Sequence, residues 1–270
     1  MGIKVGETLV QRYQIEKHLG RGGNSQVYLA YDVESSRKRA IKEINQSGNS
    51  RFYAFARREA ELIWKLKYPY FPQIFDIVET EQADYLIMEF LEGETAGERL
   101  IRLGSLPAEE VVRMAMDLCL MLSYLHRYTP SLVYCDMKPD NIMIQSAGNL
   151  RLIDFGAVIG SGEANEEFCL RLGTRGYAAP EQFEINKCVD ARTDIYALGV
   201  TMYQLLTGEG PGQVEKKYVK GSKFFGCLFR HSAFRKLERI ICKCVREDPG
   251  ERYQDCDALR EDLSWVFCGK

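Results

Sequence analysis

The feature that most constrains the fold is a change of hydrophobic period part-way along the chain. Up to about residue 90, apolar and polar side chains alternate in short segments rich in β-branched and aromatic residues, which predicts five strands interrupted by one helix. From about Leu106 onward the apolar residues recur every three or four positions, which predicts helices, and Ile195 to Leu206 is apolar on nearly every side, as in a centrally buried helix. Strands followed by helices favour an α+β fold with segregated halves.

Composition excludes several classes of protein. The chain has 270 residues and a formal net charge of -2, with 46% hydrophobic and 27% charged residues, as in an ordinary globular protein. A charge this close to neutral argues against a nucleic-acid partner. No apolar run approaches the roughly 18 to 20 residues that a bilayer span needs. We expect no membrane segment in this chain and a cytoplasmic location, either alone or as the cytoplasmic catalytic part of a longer protein.

A glycine-rich turn lies between the first two long strands predicted. Gly20, Gly22 and Gly23 would let backbone amides approach an anion closely, because no side chain obstructs the approach. Taken alone, the turn also fits a tight hairpin. Its strand–turn–strand context fits neither a dinucleotide-binding fold nor a Walker loop.

A lysine and a glutamate in this half form a predicted ion pair. Glu59 is in phase with the apolar stripe of the predicted helix, four residues after Phe55 and three before Leu62. A carboxylate on a buried face needs a cation, because an unpaired buried charge is very costly. Lys42, in the strand segment Ala40-Ile41-Lys42, is the natural partner.

Two polar motifs further along the chain predict phosphate chemistry. The first is Asp136-Met137-Lys138-Pro139-Asp140-Asn141, and the second is Asp154-Phe155-Gly156 after a strand-like segment. Asn141 and Asp154 could hold Mg²⁺ together with phosphate oxygens, because this ion takes few protein ligands. Asp136 would then be available for a hydroxyl substrate. A turn rich in Asp and Asn is the alternative interpretation of the first motif.

In their order and spacing these motifs resemble the catalytic domain of a eukaryotic-type serine/threonine protein kinase of the bacterial branch. The resemblance covers about Tyr13 to Phe267 and includes the run from Gly173 to Glu181. It implies a bilobal, protein-kinase-like α+β fold with a small antiparallel five-stranded N-lobe carrying one main helix and a larger, mostly helical C-lobe. The N-lobe would span about 1–91, the hinge about 89–97 and the C-lobe about 98–268, all within one catalytic domain of residues 1–270.

The resemblance also implies ATP, Mg²⁺ (with Mn²⁺ as an alternative ion) and a protein substrate with a serine or threonine acceptor. Lys42 would grip the α- and β-phosphates while Glu59 orients it, and Asp136 would align and deprotonate the hydroxyl. Lys138 would steady the γ-phosphate, and Thr174 would brace Asp136 and Lys138. The implied ATP-binding residues are Leu19, Gly20, Gly22, Gly23, Ser25, Val27, Ala40, Lys42, Met88, Glu89, Leu91 and Met143; the metal ligands are Asn141 and Asp154; the structural residues are Tyr134, Phe155, Glu181, Asp194 and Arg252.

The chain departs from the family pattern just before Asp136. Tyr134-Cys135-Asp136 stands where His-Arg-Asp is usual, which removes the arginine that binds a phosphorylated activation loop in many relatives. Between Asp154 and Glu181 the only serine or threonine residues are Ser161 and Thr174. These departures suggest an activity that does not require loop phosphorylation. Cys135 is either a small neutral filler or an accessible thiol, and Ser25, in place of the third glycine, does not by itself predict inactivity.

Two other functions are compatible with parts of the pattern. A pseudokinase would bind nucleotide or a partner without phosphoryl transfer, although the chain retains the residues expected for transfer: Lys42, Glu59, Asp136, Asn141 and Asp154. A small-molecule kinase of the same broad fold is the third hypothesis. Thr174 and the segment Ala179-Pro180-Glu181 favour a peptide-binding floor instead.

Overall fold

The computed structural model describes residues 3–21, 25–45, 61, 64–66, 69–80, 83–161, 173–184, 187–214 and 232–267. The chain divides into two compact units, residues 1–93 with 151–156 and residues 94–150 with 157–270. The first unit is built on an antiparallel sheet and the second is mostly helical, which confirms the α+β prediction. Within the described ranges, no helix combines the length and apolar character needed to span a bilayer.

The sheet of the first unit has six strands rather than the five predicted. Its order is β1-β2-β3-β4-β6-β5, and every neighbouring pair is antiparallel. The extra strand is β1, whose two residues are too few to show an alternating pattern in the sequence. The six strands are Thr8–Leu9 (β1), Tyr13–Arg21 (β2), Ser25–Asp32 (β3), Arg37–Asn45 (β4), Ile74–Glu79 (β5) and Ala83–Glu89 (β6).

The two faces of this sheet differ in character. Tyr28, Ile41 and Ile87 are cross-strand partners, and they belong to a buried apolar cluster that also contains Tyr13 and Ile15. Because successive side chains of a strand point to opposite faces, the neighbours of these residues along the chain line the other face. The period-two alternation therefore places the core on one side and leaves the other side for the candidate site.

The second unit contains five helices of eight residues or more and one short turn of helix, counted over the described ranges. The longest, α2, begins after Pro107, which stands at its N-cap, and carries Glu109 and Glu110 in its first turn, where they suit the positive end of the helix. The helices are Ala96–Leu103 (α1), Ala108–His126 (α2), Ala191–Thr207 (α3), Gly212–Val214 (α4), Ser232–Cys244 (α5) and Cys256–Ser264 (α6), with 3₁₀ turns at Pro139–Asn141, Pro180–Phe183 and Pro249–Glu251.

Helix α3 is the buried centre of this unit, as its uniformly apolar sequence predicted. Every residue from 193 to 203 is buried. Asp190 caps the helix by accepting a hydrogen bond from the Arg192 amide at 2.8 Å. Gly208 ends it with a φ of 74°, a left-handed conformation that glycine adopts without steric cost.

Five short strands complete the two units. Leu132–Val133 (β8) pairs antiparallel with Ile159–Gly160 (β11) in the second unit. Ile142–Gln145 (β9) precedes a turn in which the Gly148 amide donates to the Gln145 carbonyl at 2.8 Å. The chain passes between the units at Gly93–Thr95 (β7) and again at Leu150–Leu152 (β10).

Candidate active site

One face of the first unit's sheet carries four of the residues predicted to bind ATP. Val27 is the cross-strand partner of Lys42, and Ala40 is the partner of Met88. Ala40 and Lys42 are two positions apart on β4 and therefore share a face, so all four side chains lie on it. Ala40, Lys42 and Met88 are at most 9% exposed. The face offers apolar contacts with one cation among them.

The glycine-rich turn is described only in part. Gly20 lies opposite Val27, and a Cβ atom added to Gly20 would meet nothing within 4 Å. Leu19 beside it is 41% exposed. Gly22 and Gly23 lie outside the described residues, as does Glu59, while Ser25 begins β3 with its backbone paired to Ile44.

The predicted hinge residues lie at the end of β6. The Glu89 amide donates to the Gln73 carbonyl at 2.7 Å, and the Glu89 carboxylate forms an ion pair with Arg151. Arg151 also donates to the Phe71 carbonyl at 2.8 Å. Leu91 is buried, with 7% of its surface exposed. The side chain of Glu89 therefore fixes this end of the strand.

Lys42 and Asp154 form an ion pair in the first unit. The Lys42 Nζ atom lies 3.2 Å from Asp154 Oδ1, which also accepts a hydrogen bond from the Gly156 amide at 3.1 Å. Phe155, which follows Asp154 in the chain, is 1% exposed. Its ring packs edge-on against Phe71, with 5.0 Å between the two ring centroids. Phe155 thus anchors a short segment whose acidic side chain keeps 45% of its surface exposed.

Three predicted residues of the second unit converge on Asp136. Thr174 Oγ1 donates to Asp136 Oδ1 at 2.7 Å, and Lys138 Nζ donates to Asp136 Oδ2 at 2.7 Å and to Thr174 Oγ1 at 2.6 Å. Asn141 Nδ2 donates to the Asp136 carbonyl at 2.8 Å and to Oδ2 at 3.0 Å. These contacts fix the orientation of the carboxylate, since each oxygen accepts at least one hydrogen bond.

The backbone before Asp136 is held by Asp194 of α3. The two carboxylate oxygens accept hydrogen bonds from the amides of Tyr134 and Cys135, both at 2.8 Å. Asp194 is fully buried, as are Tyr134 and Cys135. Cys135 has a φ of 64°, which is unusual for a residue with a side chain. The buried carboxylate stabilises this turn because it satisfies two backbone donors that would otherwise lack partners.

Glu181 and Arg252 form a bidentate ion pair inside the second unit. Arg252 Nη1 lies 2.7 Å from Glu181 Oε1 and Nη2 lies 2.9 Å from Oε2, with 0% and 4% of the two side chains exposed. Thr193 Oγ1 also donates to Glu181 at 2.9 Å. The remaining guanidinium hydrogens reach the backbone carbonyls of Arg192, Arg246 and Glu247. The pair therefore links the segment that contains Glu181 to the segment just before α6.

Three residues around the site were not predicted. His126 Nε2 lies 2.8 Å from Asp194 Oδ2, and Gln182 Nε2 donates to the Cys135 carbonyl at 3.1 Å. Gly173 has a φ of 93°, and a Cβ atom there would lie 2.8 Å from the same carbonyl. The sequence signal was weak, because a single histidine, glutamine or glycine has no periodic neighbour that marks it as a contact.

Asn141 of the second unit and Asp154 of the first each carry an oxygen atom of the kind that suits a hard cation. Asn141 uses its amide nitrogen toward Asp136, which leaves its carbonyl oxygen as the group for a metal. Asp154 presents a carboxylate with nearly half its surface exposed. Mg²⁺ prefers such oxygen ligands and completes its coordination with water and phosphate. Among the described residues, no three His, Cys, Asp or Glu side chains are arranged as a self-contained metal site.

The cysteines of the described ranges are all free thiols, and five of the six are buried. Burial raises the pKa of the Cys244 thiol well above its usual value, and a hydrogen bond with Cys119 does the same for Cys256. These thiols stay protonated and contribute as small packing groups. Cys135 is fully buried, which favours the interpretation as a filler.

Comparison with known proteins agrees with this geometry. The chain matches the family model described as protein kinase domain over residues 13–264. It is 30% identical to the serine/threonine-protein kinase PknB of Mycobacterium tuberculosis, over 97% of this chain and 44% of PknB. It is also 30% identical to the serine/threonine-protein kinase PrkC of Bacillus subtilis, over 97% of this chain and 42% of PrkC. The chain thus spans less than half the length of these curated relatives.

Proposed function

Because this chain belongs to the protein kinase domain family and matches its bacterial serine/threonine members, we propose that it transfers the γ-phosphoryl group of ATP to serine and threonine hydroxyls of a protein. The observation that carries the proposal is the cluster around Asp136. Thr174, Lys138 and Asn141 hold this carboxylate from three sides. A positioned carboxylate is what a hydroxyl needs in order to lose its proton as it attacks phosphorus.

The hydrogen-bond pattern assigns an acceptor position on Asp136. Lys138 has only donors, so the single hydroxyl hydrogen of Thr174 points to Asp136 Oδ1. A carboxylate oxygen has two lone-pair directions, and Oδ1 uses one of them for Thr174. The other accepts the proton of the substrate hydroxyl. The hydroxyl oxygen then bonds to the γ-phosphorus, and the bond to the β-phosphate oxygen breaks to release ADP.

The first unit supplies the groups that bind the nucleotide. Lys42 lies on the sheet face that carries Val27 and Ala40, and its ammonium group is a donor suited to phosphate oxygens. Val27, Ala40 and Met88 provide apolar surface on the same face of the sheet for the adenine. Asp154 and Asn141 would hold Mg²⁺, which neutralises charge on the phosphates. Glu59 is proposed to orient Lys42.

We propose further that this activity does not depend on phosphorylation of the activation segment. Cys135, where the family has arginine, is buried and uncharged, so it offers no cation to a phosphate. Thr174 is engaged by Asp136 and Lys138, which leaves Ser161 as the other serine or threonine between Asp154 and Glu181. The test compares phosphatase-treated protein and Ser161→Ala with untreated protein. Equal rates support the proposal, whereas a large drop that loop autophosphorylation restores would contradict it.

The phosphotransfer itself is tested by mass spectrometry. The protein is incubated with Mg²⁺, ATP and a mixture of unstructured proteins, beside the Asp136→Asn variant. We expect phosphate on serine and threonine side chains with the unaltered chain and none above background with the variant. Nucleotide binding without transfer by the unaltered chain would instead indicate the pseudokinase alternative.

A further inference from the structure

A surface pocket of the second unit lies outside the candidate active site. It has a volume of about 510 Å³ and is lined by Arg239, Cys242, Lys243, Arg246 and Glu251, which we call the basic pocket. Three of these five residues are cations and one is an acid. Volumes of this size are typical of sites that hold a small ligand or a few residues of a peptide.

The three cations of the basic pocket lie along one side of α5 and of the residues that directly follow it. Arg239 and Lys243 are four residues apart on α5, and Arg246 follows three residues later. The Val245 amide still donates to the Ile241 carbonyl at 3.1 Å, so helical hydrogen bonding continues past Cys244. At about 1.5 Å per residue, the three positions span roughly 10 Å along one side of the helix.

Two of the cations are held by neighbours that leave most of their charge available. Lys243 Nζ lies 3.9 Å from the centre of the Tyr253 ring, a contact that positions the ammonium without neutralising it. Arg246 Nε lies 4.0 Å from Glu251 Oε2, with both side chains more than half exposed. Cys242 is buried and neutral, since burial raises its thiol pKa. Three positive groups and one negative group leave the pocket with an excess of two positive charges.

We propose that the basic pocket binds the phosphorylated side chain of a phosphoserine or phosphothreonine in a protein segment. A phosphate monoester carries nearly two negative charges at neutral pH, which matches the excess in the pocket. Two arginines favour phosphate because the planar guanidinium donates two parallel hydrogen bonds to it. The volume exceeds what a free phosphate occupies, so neighbouring peptide residues enter as well.

The rest of the chain argues against an extended polyanion. The formal net charge is -2, so the chain as a whole carries no excess of positive charge to attract nucleic acid or an anionic membrane. The excess positive charge of the basic pocket is local, which fits a compact dianion. This inference goes beyond the proposed phosphotransfer and does not require it, because binding is measured without ATP.

The test is a binding titration of the full chain with a fluorescent phosphoserine peptide and with the same peptide unphosphorylated. We expect the unphosphorylated peptide to bind at least ~10-fold more weakly, as does each of Arg239→Gln and Lys243→Gln toward the phosphopeptide, because each loses a charge-assisted hydrogen bond. Equal binding of the two peptides would overturn the proposal. So would inorganic phosphate that binds as tightly as the phosphopeptide, or double-stranded DNA or anionic vesicles that bind more tightly.

Two further variants separate the pocket from general effects of charge and folding. Arg113→Gln removes the same charge from an exposed position of α2 outside the pocket and leaves the Kd within about twofold, since exposed charges are screened by salt. Glu251→Gln removes the acid of the pocket and tightens binding by about threefold, as expected for loss of one like charge near the ligand. A folding defect could not improve binding. Unchanged or weaker binding by Glu251→Gln would count against the proposal.

Discussion

Asp154 in the first unit and Asp136 in the second are both paired with a lysine, but their surroundings differ. Asp154 lies 3.2 Å from Lys42 and keeps 45% of its side chain exposed. Asp136 is 14% exposed, lies 2.7 Å from Lys138 and accepts further hydrogen bonds from Thr174 and Asn141. The second carboxylate is therefore more enclosed and more tightly oriented by the protein itself.

The surroundings of each carboxylate suit the separate role proposed for it in phosphoryl transfer. A carboxylate that must take a proton from a weak acid needs a fixed direction, and the protein provides that direction before any ligand binds. A carboxylate that must share a metal ion with phosphate oxygens needs open coordination positions, so exposure suits it.

The largest loss of activity is expected for Asp136→Asn. The amide cannot accept the hydroxyl proton, so turnover should fall by about 10³-fold, within the range for loss of a general base. Steady-state phosphotransfer measures the rate, and a nucleotide titration measures ATP affinity, which should change by no more than about twofold because the variant leaves the first unit intact. A loss of ATP affinity as large as the loss of turnover would contradict the separate roles proposed for Asp136 and Asp154.

The buried scaffold of the second unit should matter more to stability than to chemistry. Arg252→Met leaves the Glu181 carboxylate buried without its cation, which should lower the free energy of unfolding by about 3–5 kcal/mol. Urea unfolding measures the change. The matched control is Lys187→Met, which breaks the exposed Lys187–Glu184 pair in the same segment and should not shift the midpoint measurably. Equal shifts for both variants would show that burial of the pair is unimportant.

Loss of the Lys42 ammonium group should lower the rate by less than loss of the Asp136 carboxylate. Lys42→Ala removes an electrostatic contact to the phosphates and should lower turnover at least ~100-fold. Lys38→Ala is the control, because Lys38 is an exposed cation on the same strand. Turnover near that of the unaltered chain in the Lys42 variant would refute the role proposed for this lysine.

The smallest effect is expected at the residue that braces Asp136. Thr174→Val removes the hydrogen bond to Oδ1 and should reduce turnover about tenfold, in line with the loss of one charge-assisted hydrogen bond. Thr174→Ser keeps the hydroxyl and should restore most of the rate. If the serine variant were as slow as the valine variant, packing of the methyl group rather than the hydrogen bond would be responsible.

Much of the fold followed from periodicity alone. The strands up to about residue 90, the change to helices near Leu106 and the buried helix over Ile195 to Leu206 were predicted, because these signals are local and repeat along the chain. The prediction missed β1, since Thr8–Leu9 is too short to show a period. Long regular elements produce a period that is visible in the sequence, whereas a strand of two residues forms because of the strand that it pairs with.

The sequence identified the residues of the candidate site but not the contacts between them. Asp136, Lys138 and Asn141 stand close together in the chain, and the spacing of polar types singled them out. Their orientation depends on Thr174, 38 residues from Asp136, and on Asp194, which holds the preceding turn. His126 and Gln182 were missed because their partners are set by the packing of separate segments.

The order of the residues determined by itself the two kinds of secondary structure, the side of β4 on which Lys42 lies and the chemical types available for phosphoryl transfer. These properties depend on local backbone geometry, which repeats every two residues in a strand and every 3.6 in a helix. Only the tertiary structure decided that Asp194 would hold the turn at Cys135, that Arg252 would reach Glu181, and that three cations would line one pocket. Such contacts depend on how distant segments pack, and no local period records that arrangement.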